Sequence, residues 1–135
     1  MSLRLLESSL YCDDLARSTR FYRDVLGFKL LVTSDRLVAL DAGGQTVLLL
    51  FRRGASAQGI ELPDGRIPPH DGAGPLHVAF AVPAAELPEW EARLTTAGVA
   101  VERRSSWPRG GTSVYFRDPD GHLVELATPG VWETY

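Results

Sequence analysis

The sequence predicts an α+β protein built from two paired β-α-β-β-β units, whose strands form a cupped mixed sheet with the helices outside. The same succession of alternating and helical segments occurs twice along 135 residues, and each helical segment stops at a glycine, Gly27 or Gly98. These glycines lie 71 positions apart, and the opening strands are offset by nearly the same amount. One such unit cannot bury both faces alone, so a duplicate predicts two units that share a core or a cleft.

The first copy opens with an alternating segment from Leu3 to Cys12, which predicts a strand. A helix is predicted over 14–26, because Asp13 or Asp14 can cap its first turn and Gly27 can adopt the left-handed conformation past its end. Three more strand-like segments follow, at 28–33, 37–42 and 45–52.

The second copy repeats this order. A strand over 76–82 leads into a helix over 85–97, in which Pro88 is tolerated because it falls in the first turn. Strands are predicted at 99–105, 112–117 and 122–127, and Asp118-Pro119-Asp120-Gly121 is typical of a tight turn between the last two.

The length predicts a single domain over residues 1–135, with a first unit at 3–53, a connector at 54–74 and a second unit at 75–128. The connector is rich in Gly and Pro. Loops of this length are either functional lids or disordered connectors, and both alternatives stay open here.

Composition narrows the class of protein. Hydrophobic residues make up 44% and charged residues 23%, which is typical of a globular protein, and a net charge of −3 argues against nucleic acid as a partner. Cys12 is the only cysteine, which fits a reducing compartment. Acidic residues near the N-terminus exclude a secretory signal there, and no apolar run is longer than Val47–Phe51, which is too short to cross a membrane. We therefore expect a cytoplasmic protein without membrane partners.

Three side chains of chemical interest lie on strand faces lined by small or polar residues. Alternation places His77 on one face with Ala79 and Ala81, opposite the large apolar residues of its strand. Glu7 occupies the matching place in the first copy, and Glu125 lies on the last strand of the second. A glutamate on a strand is most often only solvated, and a lone histidine is most often structural. Their placement in a duplicated unit favours a shared cleft.

The chain resembles the vicinal oxygen chelate superfamily, which contains glyoxalase I, extradiol dioxygenases and the fosfomycin and bleomycin resistance proteins. The resemblance rests on three stretches, at 14–28, 76–80 and 118–125. In metal-using members the ligands come from the first and last strand of each unit. These positions are Glu7, His77 and Glu125 here, together with Leu49, which cannot bind a metal.

The resemblance implies a divalent-metal-dependent enzyme, either a lyase or isomerase or a dioxygenase, that acts on a small oxygen-chelating substrate. One imidazole and two carboxylates can hold Fe, Mn, Ni, Zn or Mg and leave positions open for substrate. The alternative is a metal-free, antibiotic-binding protein of the bleomycin-resistance type. The resemblance also implies a homodimer.

The stretch from Val114 to Glu125 resembles the latter half of the extradiol dioxygenase signature. There a tyrosine ten positions before the ligand glutamate hydrogen-bonds the substrate, and Tyr115 matches it as the candidate catalytic residue. The upstream histidine of that signature has no counterpart within residues 105–111. His70 and His122 are possible replacements, although alternation predicts that His122 is exposed.

Aromatic and basic side chains complete the predicted site. Phe51 and Trp107 are candidates to line an apolar substrate pocket, and Arg109 is a candidate to hold an anionic group of the substrate. Three other arginines are equally able to bind an anion: Arg52, Arg103 and Arg117. An arginine in such a position is more often an ordinary surface charge, and this alternative applies to all four.

Overall fold

The computed structural model describes residues 1–135 and consists of two compact units, Met1–Gly74 and Pro75–Tyr135, each described by itself. Residues 54–74, predicted to be a connector, belong to the first unit. A single domain over the whole chain stays a prediction. Neither helix has the length and apolar character needed to span a lipid bilayer.

The first unit contains one helix and a four-stranded sheet in the order β1-β4-β3-β2, with β1 and β4 parallel and the other pairs antiparallel. The predicted first strand begins four residues later than expected. The elements are β1 (Glu7–Cys12), α1 (Leu15–Arg20, continued by a π-helical turn over Phe21–Val25), β2 (Lys29–Thr33), β3 (Leu37–Asp41) and β4 (Val47–Arg52).

The second unit repeats this order, which confirms the predicted duplication. Its sheet runs β7-β10-β9-β8, and the parallel pair is again formed by the first and last strands. The elements are β7 (His77–Ala81), a 3₁₀ turn (Ala84–Glu86), α2 (Leu87–Thr96), β8 (Arg103–Ser106), β9 (Thr112–Arg117) and β10 (Leu123–Ala127).

Helix α1 begins and ends as its sequence predicts. The Asp14 carboxylate accepts the backbone N–H of Arg17 at 3.0 Å, and Gly27 has a φ of 76° just past the end. Tyr22 is fully buried, and α1 packs on β3 and β4. The last five residues, Phe21–Val25, wind as a π-helix, in which hydrogen bonds join residues five apart rather than four. No signal in the sequence indicates this change.

The 54–74 segment forms a closed structure in the first unit. It contains a hairpin that the sequence analysis did not predict, made of β5 (Ile60–Leu62) and β6 (Gly65–Ile67). Ser56 is fully buried, its hydroxyl donates to the carbonyl of His70 at 2.7 Å, and the N–H of His70 donates back to the carbonyl of Ser56 at 3.1 Å. These two bonds close the base of the hairpin.

Candidate metal and substrate site

The second sheet brings three predicted site residues together on one face. In the strand register His77 is opposite Leu123, Ala79 is opposite Glu125, and Glu125 is opposite Tyr115. Because alternate residues of a strand share a face, His77, Glu125 and Tyr115 project from the same side of β7, β10 and β9. The other side is apolar, with Val114, Phe116 and Val124 fully buried, as the sequence predicted for β9.

The His77 ring is fixed by a backbone carbonyl. Its Nδ1 lies 2.9 Å from the carbonyl oxygen of Leu123, and its Nε2 lies 3.1 Å from Oε2 of Glu125. A carbonyl oxygen can only accept, so Nδ1 carries a proton. In the neutral ring Nε2 then presents a lone pair towards the carboxylate, an arrangement that requires a cation or a proton between the two atoms.

The Glu125 carboxylate is nearly buried, with 7% of the residue exposed, and both of its oxygens have partners. Oε1 accepts the hydroxyl of Ser113 at 2.5 Å, and Oε2 faces His77. The Ser113 hydroxyl in turn accepts the indole N–H of Trp107 at 2.7 Å. A buried carboxylate is tolerated only with such partners.

His77 Nε2 and Glu125 Oε2 fit two neighbouring ligands of one metal ion. Metal–ligand bonds of about 2.1 Å at a right angle place two donor atoms about 3 Å apart. A ligating histidine also usually donates its other ring N–H to a carbonyl or carboxylate, as His77 does to Leu123. Within either unit, however, no third His, Cys, Asp or Glu completes a group able to hold a metal.

Glu7, the third predicted ligand, lies in the first unit. It is exposed at the start of β1 and is paired with Val47, as His77 is paired with Leu123 in the second unit. Leu49 is opposite Ser9 in the place that Glu125 occupies opposite Ala79. The register thus reproduces the equivalence read from the sequence, and the role of Glu7 as a ligand stays a prediction.

Tyr115 lies beside the His77–Glu125 pair. Its ring centroid is 6.4 Å from that of His77, and the residue is half-buried on the strand next to Glu125. Its hydroxyl is a donor within the same patch of sheet surface as the candidate ligands. This placement fits the predicted contact with a substrate oxygen, which stays a prediction.

The predicted substrate-binding residues belong to both units, with Trp107 and Arg109 in the second and Phe51 in the first. Trp107 is 38% exposed and uses its N–H on Ser113, and Arg109 is exposed with Glu133 at 4.0 Å. Phe51 belongs to the first unit and is only 2% exposed.

The rings of Tyr11 and His70 cover Phe51, with centroid distances of 5.9 and 4.5 Å. The Tyr11 hydroxyl forms a hydrogen bond with Nδ1 of His70 at 2.7 Å, and the tautomer of the ring determines which group donates. Burial, followed by the charge of Asp71, raises the pKa of the Tyr11 phenol above its ordinary value, so it stays protonated at neutral pH. Of these three rings, those of Tyr11 and His70 are partly exposed, and Phe51 lies beneath them.

The expectation that His122 is exposed is wrong. The residue is fully buried, its Nδ1 accepts the backbone N–H of Leu76 at 2.8 Å, and its own N–H donates to Asp118. Alternation places His122 on the same face as Val124, and that face is the buried side of the sheet rather than the exposed one. His122 therefore fastens β10 to the residue before His77, which helps to fix the ligand pair.

Sequence reasoning also missed Ser113, although a signal was present. Ser113 is two positions before Tyr115 on the same strand, so alternation places it on the same face. A hydroxyl there is within reach of a residue on the neighbouring strand, and Glu125 is that residue.

Comparisons with known proteins agree with this architecture. The model of the family described as Glyoxalase/Bleomycin resistance protein/Dioxygenase superfamily matches residues 4–126. The chain is 32% identical over 121 residues to Metallothiol transferase FosB of Bacillus licheniformis, covering 89% of this chain and 71% of that protein. It is 34% identical over 113 residues to Catechol-2,3-dioxygenase of Bacillus subtilis, covering 83% of this chain but only 36% of that protein.

Among solved structures, Lactoylglutathione lyase from Agrobacterium tumefaciens superposes with a TM-score of 0.87. It is 35% identical in sequence, and the match covers 96% of each chain. The relatives compared therefore include proteins named as a transferase, a dioxygenase and a lyase.

Proposed function

The chain belongs to the glyoxalase/bleomycin resistance protein/dioxygenase superfamily, and we propose that it is a divalent-metal-dependent enzyme acting on a small substrate that chelates the ion through neighbouring oxygens. The observation that carries the proposal is the His77–Glu125 pair, in which a carbonyl-fixed ring directs Nε2 at a nearly buried carboxylate oxygen 3.1 Å away.

His77 Nε2 and Glu125 Oε2 would hold the ion, with Glu7 as the third ligand. Glu7 lies in the other unit, so it is supplied either by the same chain or by a second copy. We also propose a homodimer, as the family resemblance implies. When bound, a divalent ion supplies Lewis acidity that stabilises negative charge on a coordinated substrate oxygen. Fe, Mn, Ni, Zn and Mg are all compatible with one imidazole and two carboxylates.

The remaining predicted residues act on the substrate itself. The Tyr115 hydroxyl donates to a substrate oxygen as negative charge develops, an interaction stronger in the transition state than in the ground state. Arg109 is the candidate to hold an anionic group, and Trp107 is the candidate apolar surface. The predicted Phe51 would reach a substrate only through the Tyr11 and His70 rings that cover it. These assignments extend the proposal beyond the ligand pair.

Lewis-acid chemistry without O₂ fits the sequence better than ring cleavage. Residues 105–111 lack the histidine that completes the extradiol signature. Two relatives carry names that refer to thiol chemistry, a metallothiol transferase and a lactoylglutathione lyase. We therefore propose a lyase, isomerase or transferase whose substrate is a thiol adduct, or an electrophile presented together with a thiol.

Metal titration of the purified protein by calorimetry tests the proposal, with Glu125→Gln and Glu133→Gln as a matched pair. Glu133 is exposed in the same unit, and its ion-pair partner is Arg109 rather than His77. We expect the wild type and Glu133→Gln to bind about one ion per ligand set, and Glu125→Gln to bind more than about 100-fold more weakly. A wild-type protein that binds none of the five metals would overturn the proposal.

The second candidate is a metal-free binding protein for a small aromatic or antibiotic-like ligand. One observation favours it, because a protonated His77 would satisfy Glu125 as a simple ion pair. Ligand binding that is unchanged by a chelator, with no turnover of thiol–electrophile pairs, would support this candidate over the enzyme.

A further inference from the structure

We propose that Trp107 and Ser113 form a positioning relay that fixes one oxygen of Glu125 and leaves the other for the metal ion. The inference rests on the proposed metal site and assigns a role to two side chains that the family comparison does not. Neither relay residue is a candidate ligand: one offers a hydroxyl and the other an indole N–H.

The direction of the relay follows from hydrogen-bond chemistry. An indole N–H can only donate, so the Ser113 oxygen accepts it at 2.7 Å. The single hydroxyl proton of Ser113 is then free for Oε1 of Glu125 at 2.5 Å. Since a charged carboxylate accepts and does not donate, every group in the relay has one role and no alternative orientation competes with it.

The fold holds both relay residues in place. Ser113 is fully buried on β9, opposite Ala127 of β10. Trp107 begins a tight loop that two backbone hydrogen bonds close. The backbone N–H of Trp107 donates to the carbonyl of Gly111 at 2.8 Å, and the Trp107 carbonyl accepts the N–H of Gly110 at 3.0 Å. A Cβ atom at Gly111 would lie 2.4 Å from the backbone of Gly130, so this loop packs too closely against the C-terminal segment to shift freely.

The consequence is a carboxylate with one free oxygen in a defined orientation. With Oε1 bound to Ser113, Oε2 is the oxygen that faces His77 Nε2 at 3.1 Å. Without Ser113 the carboxylate can rotate, and Oε1 remains in a nearly buried place without its donor. Loss of an outer partner of a metal ligand typically weakens metal binding 10–100-fold.

The test is a double-mutant cycle on metal affinity. Ser113→Ala should weaken the dissociation constant of the ion that the wild type binds by about 10–100-fold. Trp107→Phe, which keeps a ring and deletes the N–H, should weaken it by less. Because Trp107 acts only through Ser113, the double variant should bind no more weakly than Ser113→Ala alone.

Controls separate positioning from general loss of structure. Ser105→Ala is the matched control, since Ser105 is opposite Ser113 on β8, and it should bind metal as the wild type does. Ser113→Thr keeps the hydroxyl and should restore affinity. In the metal-free protein, the Trp107 indole N–H resonance should move in Ser113→Ala and stay in place in Ser105→Ala.

The outcomes distinguish this inference from the function on which it rests. A wild type that binds no divalent ion overturns the proposed function and the relay together. A wild type that binds normally, with Ser113→Ala within about twofold of it, overturns the relay alone. An equal effect of Trp107→Phe in both backgrounds means that the indole acts by packing and also overturns the relay.

Discussion

At the scale of single residues, the candidate site depends on the atoms that His77 and Glu125 direct at each other. The backbone carbonyl of Leu123 fixes the tautomer of the histidine, and Ser113 fixes one carboxylate oxygen. Neither partner is a candidate ligand. The candidate ligands could be named from the sequence, whereas the orientation of their side chains depends on neighbours that the sequence pattern does not reveal.

Tyr115→Phe tests the proposed catalytic hydroxyl. The variant keeps the ring and its packing and deletes one donor, so we expect turnover to fall about 100-fold, the lower range for loss of one oxyanion donor. Metal affinity and the unfolding midpoint should stay at wild-type values, because the hydroxyl binds neither the ion nor the core. Unchanged steady-state turnover would leave Tyr115 as part of the pocket wall only.

His122→Ala tests the buried ring that fastens β10 near His77. The substitution leaves the part-buried backbone N–H of Leu76 without its acceptor, which alone costs about 1–3 kcal/mol. The free energy of unfolding should therefore fall by about this amount or more. Urea denaturation measures this change. His122→Asn retains an acceptor and should lose less, and a loss below about 0.5 kcal/mol in His122→Ala would contradict the proposed role.

At the scale of elements, the sequence predicted both helices and the presence of the eight main strands from their period and from the glycine or turn beside them. The bounds were less accurate, since β1 (Glu7–Cys12) and β8 (Arg103–Ser106) each begin four residues later than predicted. The π-helical turn of α1 and the β5–β6 hairpin were not predicted. The hairpin strands have three residues each, too few to show alternation, and Ser56 and His70 close the base through bonds between distant positions. Periodicity reports local structure and faces, and it does not report such closures.

The 54–74 segment contains a pH-sensitive connection at Asp71. Backbone N–H groups of Gly54 and Gly72 donate to this carboxylate, and they lower its pKa below the ordinary value of 3.8. A depressed pKa means that the contribution to stability is complete above 3.8 and is lost as pH falls through the lower folded value.

We therefore expect the amide resonances of Gly54 and Gly72 to titrate with a midpoint below 3.8. NMR spectra recorded as a function of pH measure this midpoint. Asp71→Asn should abolish the titration at both amides. A midpoint at or above 3.8 in the wild type would contradict the depressed pKa.

At the scale of the whole molecule, duplication determines what one chain can supply. Each unit presents candidate ligands on one sheet face, and neither unit has a group of three. The family predicted from the sequence is confirmed, whereas the ligand set stays a prediction and assembly cannot be deduced from alternation or propensity. Similarity to a lyase over 96% of both chains supports the fold and leaves the assembly to experiment.

The proposed homodimer gives a test of where Glu7 acts. Glu7 can complete the site within its own chain or across the dimer, and each unit is incomplete alone in both arrangements. We expect homodimers in sedimentation at tens of micromolar, and the location of Glu7 in each site is what the variants below decide. Glu7→Ala and Glu125→Ala should each lose metal binding as pure proteins, because alanine offers no ligand atom.

Mixing these two variants after reversible unfolding separates the arrangements. If the site is shared, each mixed dimer has one site with both defects and one intact site, so about a quarter of all sites should bind metal in an equal, random mixture. If each site lies within one chain, every site keeps one defect and no binding returns. Calorimetric titration of the mixture, with each pure variant refolded alone as the control, decides between them, and absence of recovery in dimers shown to be mixed would contradict the shared site.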